Sequence, residues 1–315
     1  MRKLNSIEYL KAFSMFYIVG FWHLSDYTAY LSINKNQILS DTTLITLSIF
    51  VLISGFLLGK TNKQPVKFLT FLKKRLFRIY PLYALAVIIF YFFSINDLLI
   101  SIKSLFFISM FIGPAPFTLW FITMIMIFYL LTPFLISLSN KIINYFLFVL
   151  LISLLFFILI FFFKNIDYRI VFYFPIFCLG IFCATQGIKT KFINLYSALA
   201  LFLIGILLES ISINSWLITQ FLKLPVIISS SYIILYISIT YEYKFKSISI
   251  INTIGYSSFS IYLFHRPIYT TLIYLFFPNN KELQFLYLLF VCFPIICFIS
   301  WLLQKSYDYL VFKIG

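Results

Sequence analysis

Apolar runs, each about as long as one bilayer crossing, follow one another from residue 7 to residue 304 with only short polar breaks. A helix needs about 20 apolar residues to span the hydrocarbon core. Ten segments read as spans on that basis: 7–25, 42–59, 77–95, 118–138, 143–163, 170–187, 193–211, 224–241, 254–277 and 284–304. Only 10% of the residues are charged, against roughly 25% in soluble domains. The mean hydropathy of +1.03 describes surface that a bilayer solvates and water does not. The predicted fold is therefore all-α, a polytopic integral membrane bundle of about ten transmembrane helices. The stretch 98–112 is also apolar, but it is short and runs into Gly113-Pro114-Ala115-Pro116. It is either an eleventh crossing or a re-entrant or interfacial segment.

Charge separates these alternatives. With ten spans and a cytoplasmic N-terminus, seventeen cations fall inside: Arg2, Lys3, Lys11, Lys60, Lys63, Lys67, Lys73, Lys74, Arg75, Arg78, Lys141, Lys189, Lys191, Lys244, Lys246, Lys305 and Lys313. Six fall outside (Lys35, Lys103, Lys164, Arg169, Lys223 and Lys281), and Arg266 lies within a span. An eleventh crossing would move Lys141, Lys189, Lys191, Lys244 and Lys246 to the outside. The positive-inside rule thus favours ten spans with both termini cytoplasmic. The expected organisation is one membrane domain over residues 1–315, with no appended soluble domain and with its first apolar stretch kept as a helix.

The same distribution bounds the partners. A net charge of +15 could point to nucleic acid, but the cations sit in short loops where they orient the chain and meet anionic membrane lipid. No basic stripe alternates with exposed aromatics, so no nucleic-acid partner is expected. Cys178, Cys183, Cys292 and Cys297 all lie in apolar spans without zinc spacing to a histidine, and no metal is expected.

Only two histidines occur, His23 and His265, and both fall inside apolar runs. An ionisable group there costs several kcal/mol and marks function by default. His23 lies about 15 residues past Glu8, roughly 22 Å along a straight helix, which puts Glu8 and Lys11 near the inner surface and His23 near the outer one. A neutral imidazole there is a candidate general base for a hydroxyl or the nucleophile of a covalent acyl-histidine intermediate; the alternative to both is a structural histidine bonded to a neighbouring helix. Glu8 and Lys11 share a helical face, and as a surface pair would contribute only about 0.3 kcal/mol.

Lys74, Arg75 and Arg78 lead into Ile79-Tyr80-Pro81. Two guanidinium forks one turn apart suit a phosphorylated ligand, whereas Lys60, Lys63 and Lys67 read as ordinary inside-positive charge. Ser54-Gly55 at the end of the second span is a packing signal. Trp120 and Tyr129 in the fourth span suit an aromatic wall for a sugar or acyl chain, or interfacial anchoring. The ninth span carries Tyr256, Ser260, Tyr262, His265 and Arg266, which can line a substrate site or bind helix to helix. Pro267 removes a backbone hydrogen bond nearby.

In order, Glu8-x-x-Lys11 followed by His23, Ser54-Gly55-Phe56-Leu57-Leu58, Arg75-x-x-Arg78-Ile79-Tyr80-Pro81, Leu119-Trp120-Phe121 with Tyr129-Leu130-Leu131-Thr132-Pro133, and Ser260-Ile261-Tyr262-Leu263-Phe264-His265 resemble the acyltransferase family 3 membrane proteins. That family includes O-antigen acetylases and other O-acyltransferases of surface polysaccharides, and the resemblance covers nearly the whole chain. It implies transfer of an acetyl group from cytoplasmic acetyl-CoA, a co-substrate rather than a tightly bound cofactor. The acceptor it implies is a hydroxyl of a cell-surface polysaccharide or its undecaprenyl-linked precursor, handled at the bacterial cytoplasmic (inner) membrane. It assigns catalysis to His23 with Glu8 beside it in the first helix, and binding of the acyl-CoA donor to Arg75 and Arg78 with Lys74 and Lys11. Trp120, Tyr129, Tyr262 and His265 are the candidate substrate-site residues.

Two departures stand out. The family usually has Arg where this chain has Lys11, and it leaves ten residues between that cation and the histidine where this chain has eleven. One extra residue turns a helix by about 100°, so either a π-bulge in the first span absorbs it or Lys11 does not play the family's role. Two other functions compete. A glycan or lipid-linked sugar transporter has little need for a cytoplasmic Arg pair, and the chain shows no repeated halves. A glycan polymerase is expected to carry a large basic outer loop, and the longest outer loops here, 26–41 and 96–117, hold few cations.

Overall fold

The computed structural model describes residues 4–31, 37–62, 66–163, 165–188, 193–211 and 213–314. Arg2, Lys3, Lys35, Lys63, Lys164, Lys189 and Lys191, which enter the charge argument above, lie outside the described residues. All regular structure among the described residues is helical. The elements are α1 (Asn5–Gly20), α2 (Gln37–Thr61), α3 (Phe68–Phe92), α4 (Leu98–Leu105), α5 (Ser109–Ile112), α6 (Trp120–Leu138), α7 (Ile142–Phe162), α8 (Arg169–Gln186), α9 (Leu195–Glu209), α10 (Trp216–Leu222), α11 (Leu224–Thr240), α12 (Ser249–Leu275), α13 (Lys281–Tyr287) and α14 (Phe293–Ile314). A π-helical turn, Leu288–Cys292, joins the last two.

Among the described residues, seven stretches are long and apolar enough to cross a membrane: Ile38–Thr61, Phe68–Phe92, Trp120–Leu138, Ile142–Phe162, Arg169–Gln186, Trp216–Thr240 and Lys281–Val311. The other three expected spans fall on α1, α9 and α12. α1 and α9 have only 16 and 15 residues, and the 27 residues of α12 include serines, His265 and Arg266. The apolar stretch 98–112 is two short helices of 8 and 4 residues. They are separated at Phe107, whose φ is 58°. At 1.5 Å per residue α4 reaches about 12 Å, far short of a crossing. The Asp97 carboxylate caps it by accepting from the Ile100 N–H at 2.7 Å.

The chain divides into two compact units, Met1–Leu47 with Pro81–Phe93 and Ser238–Gly315, and Ser48–Tyr80 with Ser94–Ile237. In the first, α1 and α12 lie side by side and run parallel. Near their starts a Cβ on Gly255 would come within 2.8 Å of the Glu8 backbone oxygen. Further along, the Tyr269 hydroxyl donates to the Val19 carbonyl at 3.2 Å. α14 runs antiparallel to α12. The Ser260 hydroxyl donates to Gln304 Oε1 at 2.7 Å, Gln304 Nε2 donates to Asp308 at 3.0 Å, and the Tyr256 hydroxyl donates to the same Asp308 carboxylate. The polar residues of the ninth expected span thus do join helix to helix. Leu4 has no side chain able to cap α1. The Glu242 carboxylate does so from afar, accepting from the Asn5 and Ser6 N–H groups at 2.7 and 3.0 Å, where the helix dipole favours negative charge.

The second unit is built on a contact of backbones. A Cβ on Gly55 would lie 2.2 Å from the Phe177 oxygen, and one on Gly180 would lie 2.2 Å from the Leu52 oxygen. Small residues are what allow membrane helices to approach this closely. The Ser54-Gly55-Phe56-Leu57-Leu58 run lies in the last turns of α2, which ends at Thr61, and Gly55 sits where α2 crosses α8. The Tyr145 hydroxyl adds a bond from α7 to the Cys178 carbonyl at 2.6 Å. The rest of α7 turns Ile143, Leu150, Leu151, Phe161 and Phe162 outward, all exposed, a surface that suits lipid.

These contacts carry an expected outcome. Gly55→Ala and Gly180→Ala should each destabilise the protein by about 1–3 kcal/mol through overpacking, read as a lower melting temperature in nanodiscs. Gly20→Ala should cost less, since its Cβ would meet side-chain atoms, the edge of the Phe293 ring at 3.3 Å and Phe16 at 3.5 Å, and no backbone among its nearest neighbours. Wild-type melting of Gly55→Ala would contradict the backbone contact.

Candidate active site

His23 does not lie within the first helix, as the sequence suggested. α1 stops at Gly20, Phe21 leaves helical geometry (φ −134°, ψ −63°), and His23 belongs to a 3-10 turn, Trp22–Asp26. This also settles the extra residue between Lys11 and His23. α1 contains no π-bulge; the chain breaks its helical phase at Phe21, so one residue more or less upstream does not fix a 100° rotation of the imidazole.

The turn sets the half-buried His23 ring face to face with His265, with centroids 4.8 Å apart and planes 4° from parallel. His265 is fully buried. Its Nδ1 lies 2.8 Å from the Tyr262 carbonyl oxygen. A carbonyl only accepts, so Nδ1 carries the hydrogen. The Tyr262 ring lies beside it, 6.0 Å between centroids.

A second rung lies next to the stack. Arg266 Nη2 donates to Asp26 Oδ2 at 2.7 Å, with the arginine side chain 7% exposed and the aspartate 36%. In a 3-10 helix residues three apart eclipse one another, so His23 and Asp26 leave the turn on one side and meet the adjacent His265 and Arg266 of α12. The Tyr27 phenol lies close to the side chains of Arg266 and Thr270. Burial pushes the Tyr27 phenol up from its ordinary value, against the pull of the Arg266 guanidinium, so it stays neutral. The loop beyond is held by Thr28 Oγ1 donating to Gln284 Oε1 at 3.1 Å. Asp26 is the functional candidate that the sequence reading passed over. Its one local signal was its place three residues after His23.

The structure does not bring Glu8 and Lys11 to this site, because most of α1 separates them from His23. They form an ion pair at 3.0 Å with side chains 9% and 19% exposed. The surface-pair reading is therefore corrected: Glu8 is pressed against Gly255 and both groups are largely covered. Tyr262 and His265 do lie at the site.

The remaining candidates belong to the second unit. Arg75 is half-buried, its guanidinium 5.3 Å from the Phe71 ring centroid. Phe71 in turn contacts Tyr129, whose hydroxyl is 2.9 Å from Ser54 Oγ. Lys74 and Arg78 are exposed. Trp120 is neither an open wall nor a free anchor. The Arg169 guanidinium covers its ring at 3.9 Å, Tyr173 stacks at 6.1 Å, and Asp167 accepts from Arg169 Nε at 2.8 Å. Among the described residues no three His, Cys, Asp or Glu side chains form a metal-binding group. The four cysteines are free thiols.

The family model of the acyltransferase 3 domain matches residues 4–305. The chain belongs to acyltransferase family 3. No curated protein and no solved structure matches it. With its long apolar helices, this acyltransferase 3 protein is a multi-pass membrane acyltransferase. Acyl transfer to a nucleophile calls for a base, and imidazole is a residue type able to serve as one; the His23–His265 pair, beside the Asp26–Arg266 bridge, is the candidate. Replacing Asp26 by Asn would remove the carboxylate charge that the buried Arg266 guanidinium pairs with. The expected loss is about 1–3 kcal/mol, smaller than for a wholly buried pair because Asp26 keeps contact with solvent. Thermal unfolding of Asp26→Asn measures it, and an unchanged midpoint would mean the bridge does not hold the turn.

Proposed function

We propose that this protein is a membrane O-acetyltransferase that moves an acetyl group from cytoplasmic acetyl-CoA to a hydroxyl of a cell-surface polysaccharide or its undecaprenyl-linked precursor. It acts in the bacterial cytoplasmic membrane as a bundle of ten crossings with both termini inside. The parallel course of α1 and α12 supports that count. Two parallel helices need an odd number of crossings between them, and α2, α3, α6, α7, α8, α9 and α11 make seven. An added crossing at 98–112 would make the pair antiparallel.

In the reaction, the acceptor oxygen attacks the thioester carbonyl while neutral His23 takes the hydroxyl proton. A C–O bond forms, the C–S bond breaks, and the proton passes to the departing CoA thiolate. Arg75 and Arg78, with Lys74, grip the phosphates of CoA. Lys11, engaged by Glu8, has no part in this. The observation that carries the reading is the stacked histidine pair inside a chain of the acyltransferase 3 family.

Purified protein in nanodiscs, given labelled acetyl-CoA and an envelope fraction from cells lacking the gene, tests it. His23→Ala should lower transfer by about 10²- to 10⁴-fold with donor binding intact. Arg75→Ala or Arg78→Ala should weaken acetyl-CoA binding by about 10- to 100-fold, the range for a lost charge-assisted contact. Full transfer by His23→Ala would overturn the assignment. In cells, His23→Ala should export glycan normally but without acetyl esters; lost export with esters retained would favour transport.

A further inference from the structure

The nitrogen of His265 that the stack leaves uncommitted has a chemistry fixed by its partner on the other side of the ring. Nδ1–H is given to the Tyr262 carbonyl at 2.8 Å. In the neutral ring Nε2 is then an acceptor only. His265 is 0% exposed, and Nε2 has no hydrogen-bond partner among the described residues. A buried acceptor left without a donor is costly, and the few that native structures keep call for an explanation. This one lies in the ring stacked on His23, with centroids 4.8 Å apart. It is also held still, by Tyr262 through Nδ1 and by the neighbouring Arg266–Asp26 bridge.

We propose that His265 is a specificity-determining residue. Its Nε2 accepts a hydrogen bond from a second hydroxyl of the acceptor, on the carbon next to the one acylated, so the site selects vicinal diols. The inference rests on the assignment of His23 as the base. A hydroxyl has one proton, and His23 takes that of the reacting oxygen, so a second acceptor nitrogen beside it requires a second donor. The thioester carbonyl and sulfur of the acyl donor provide none. Adjacent oxygens of a sugar ring each provide one, and hydrogen bonds of roughly 2.8 Å from the two can reach a pair of neighbouring imidazoles. A site built to bond a substrate hydroxyl also rejects acceptors that lack it, because the buried nitrogen then stays unpaired.

Two measurements test this. With only two histidines in the chain, ¹⁵N-imidazole NMR in nanodiscs resolves both rings, and His265→Phe assigns them. Nδ1–H with a bare Nε2 is expected for His265; the opposite tautomer overturns the proposal.

The second measurement is transfer of labelled acetyl to the de-esterified envelope fraction, before and after periodate oxidation, which cleaves vicinal diols and spares isolated hydroxyls. The wild-type protein should lose labelling on oxidation. His265→Phe keeps an aromatic face for His23 but no acceptor atom, and should label the untreated fraction about 10- to 100-fold less with acetyl-CoA binding unchanged. Wild-type rates in His265→Phe, or equal labelling of oxidised material by the wild-type protein, would overturn it. If His265→Phe does not fold, His265→Gln against His265→Ala decides: recovery with the glutamine acceptor supports the proposal, and equal loss refutes it. Absence of labelling by the wild-type protein strikes the acetyl-transfer reading instead, and the ¹⁵N tautomer then decides this inference alone.

Discussion

Two adjacent rungs, an imidazole stack and an ion pair, fasten the turn after α1 to the middle of α12, and the arrangement of the active region depends on them. A chain that leaves α-helical geometry at Phe21 has no intrinsic reason to present His23 in any one direction. The 3-10 turn aligns His23 with Asp26, and α12 offers His265 and Arg266 next to each other in its sequence. Each contact alone is modest: aromatic pairs contribute about 0.5–1.5 kcal/mol beyond their buried area, and partly exposed ion pairs often less. Together they restrict a ring that would otherwise pivot about its two side-chain torsions. That is pre-organisation of the kind a general base needs.

The same helix pair is fixed along its length by other means. Gly255 brings the α12 backbone against Glu8, Tyr269 bonds the Val19 carbonyl, and Glu242 closes the start of α1. α1 is short for a crossing, with polar Ser6, Glu8 and Ser14 buried. Its stability comes from specific neighbours more than from lipid. The second unit solves its packing differently. Gly55 and Gly180 let α2 and α8 touch backbone to backbone, while α7 turns leucines and phenylalanines outward. In a solvent as apolar as the side chains themselves, close approach and polar contacts hold helices together where the hydrophobic effect cannot.

Much of this was legible in the residues. Period and length of the apolar runs located a helix for each expected span, and Gly55 announced a close helix contact. The rarity of histidine singled out both partners of the stack. What could not be read were relations between distant segments. His23 and His265 are 242 positions apart in sequence, and nothing local says that they stack. Asp26 looked like a loop residue because its partner, Arg266, lies on α12. Trp120 looked like an interfacial anchor or an open aromatic face because the Arg169 that covers it sits near the start of α8. Helix ends were also hidden: Phe21 and Leu24 continue the apolar pattern of α1 although the helix stops at Gly20, so hydropathy alone placed His23 inside it.

The proposed chemistry uses His23 as the base beside a second imidazole, that of His265, whose Nε2 can only accept. The most direct measurement uses bromoacetyl-CoA, a donor analogue whose carbon alkylates a neighbouring nitrogen as bromide leaves. The protein in nanodiscs is treated with it, with and without excess acetyl-CoA, and the modified residue is read by mass spectrometry. The expected result is a single carboxymethyl-type adduct on the peptide bearing His23, suppressed by acetyl-CoA. An adduct that acetyl-CoA suppresses at some other residue, with His23 unmodified, would contradict the assignment of the acyl-transfer site to this turn.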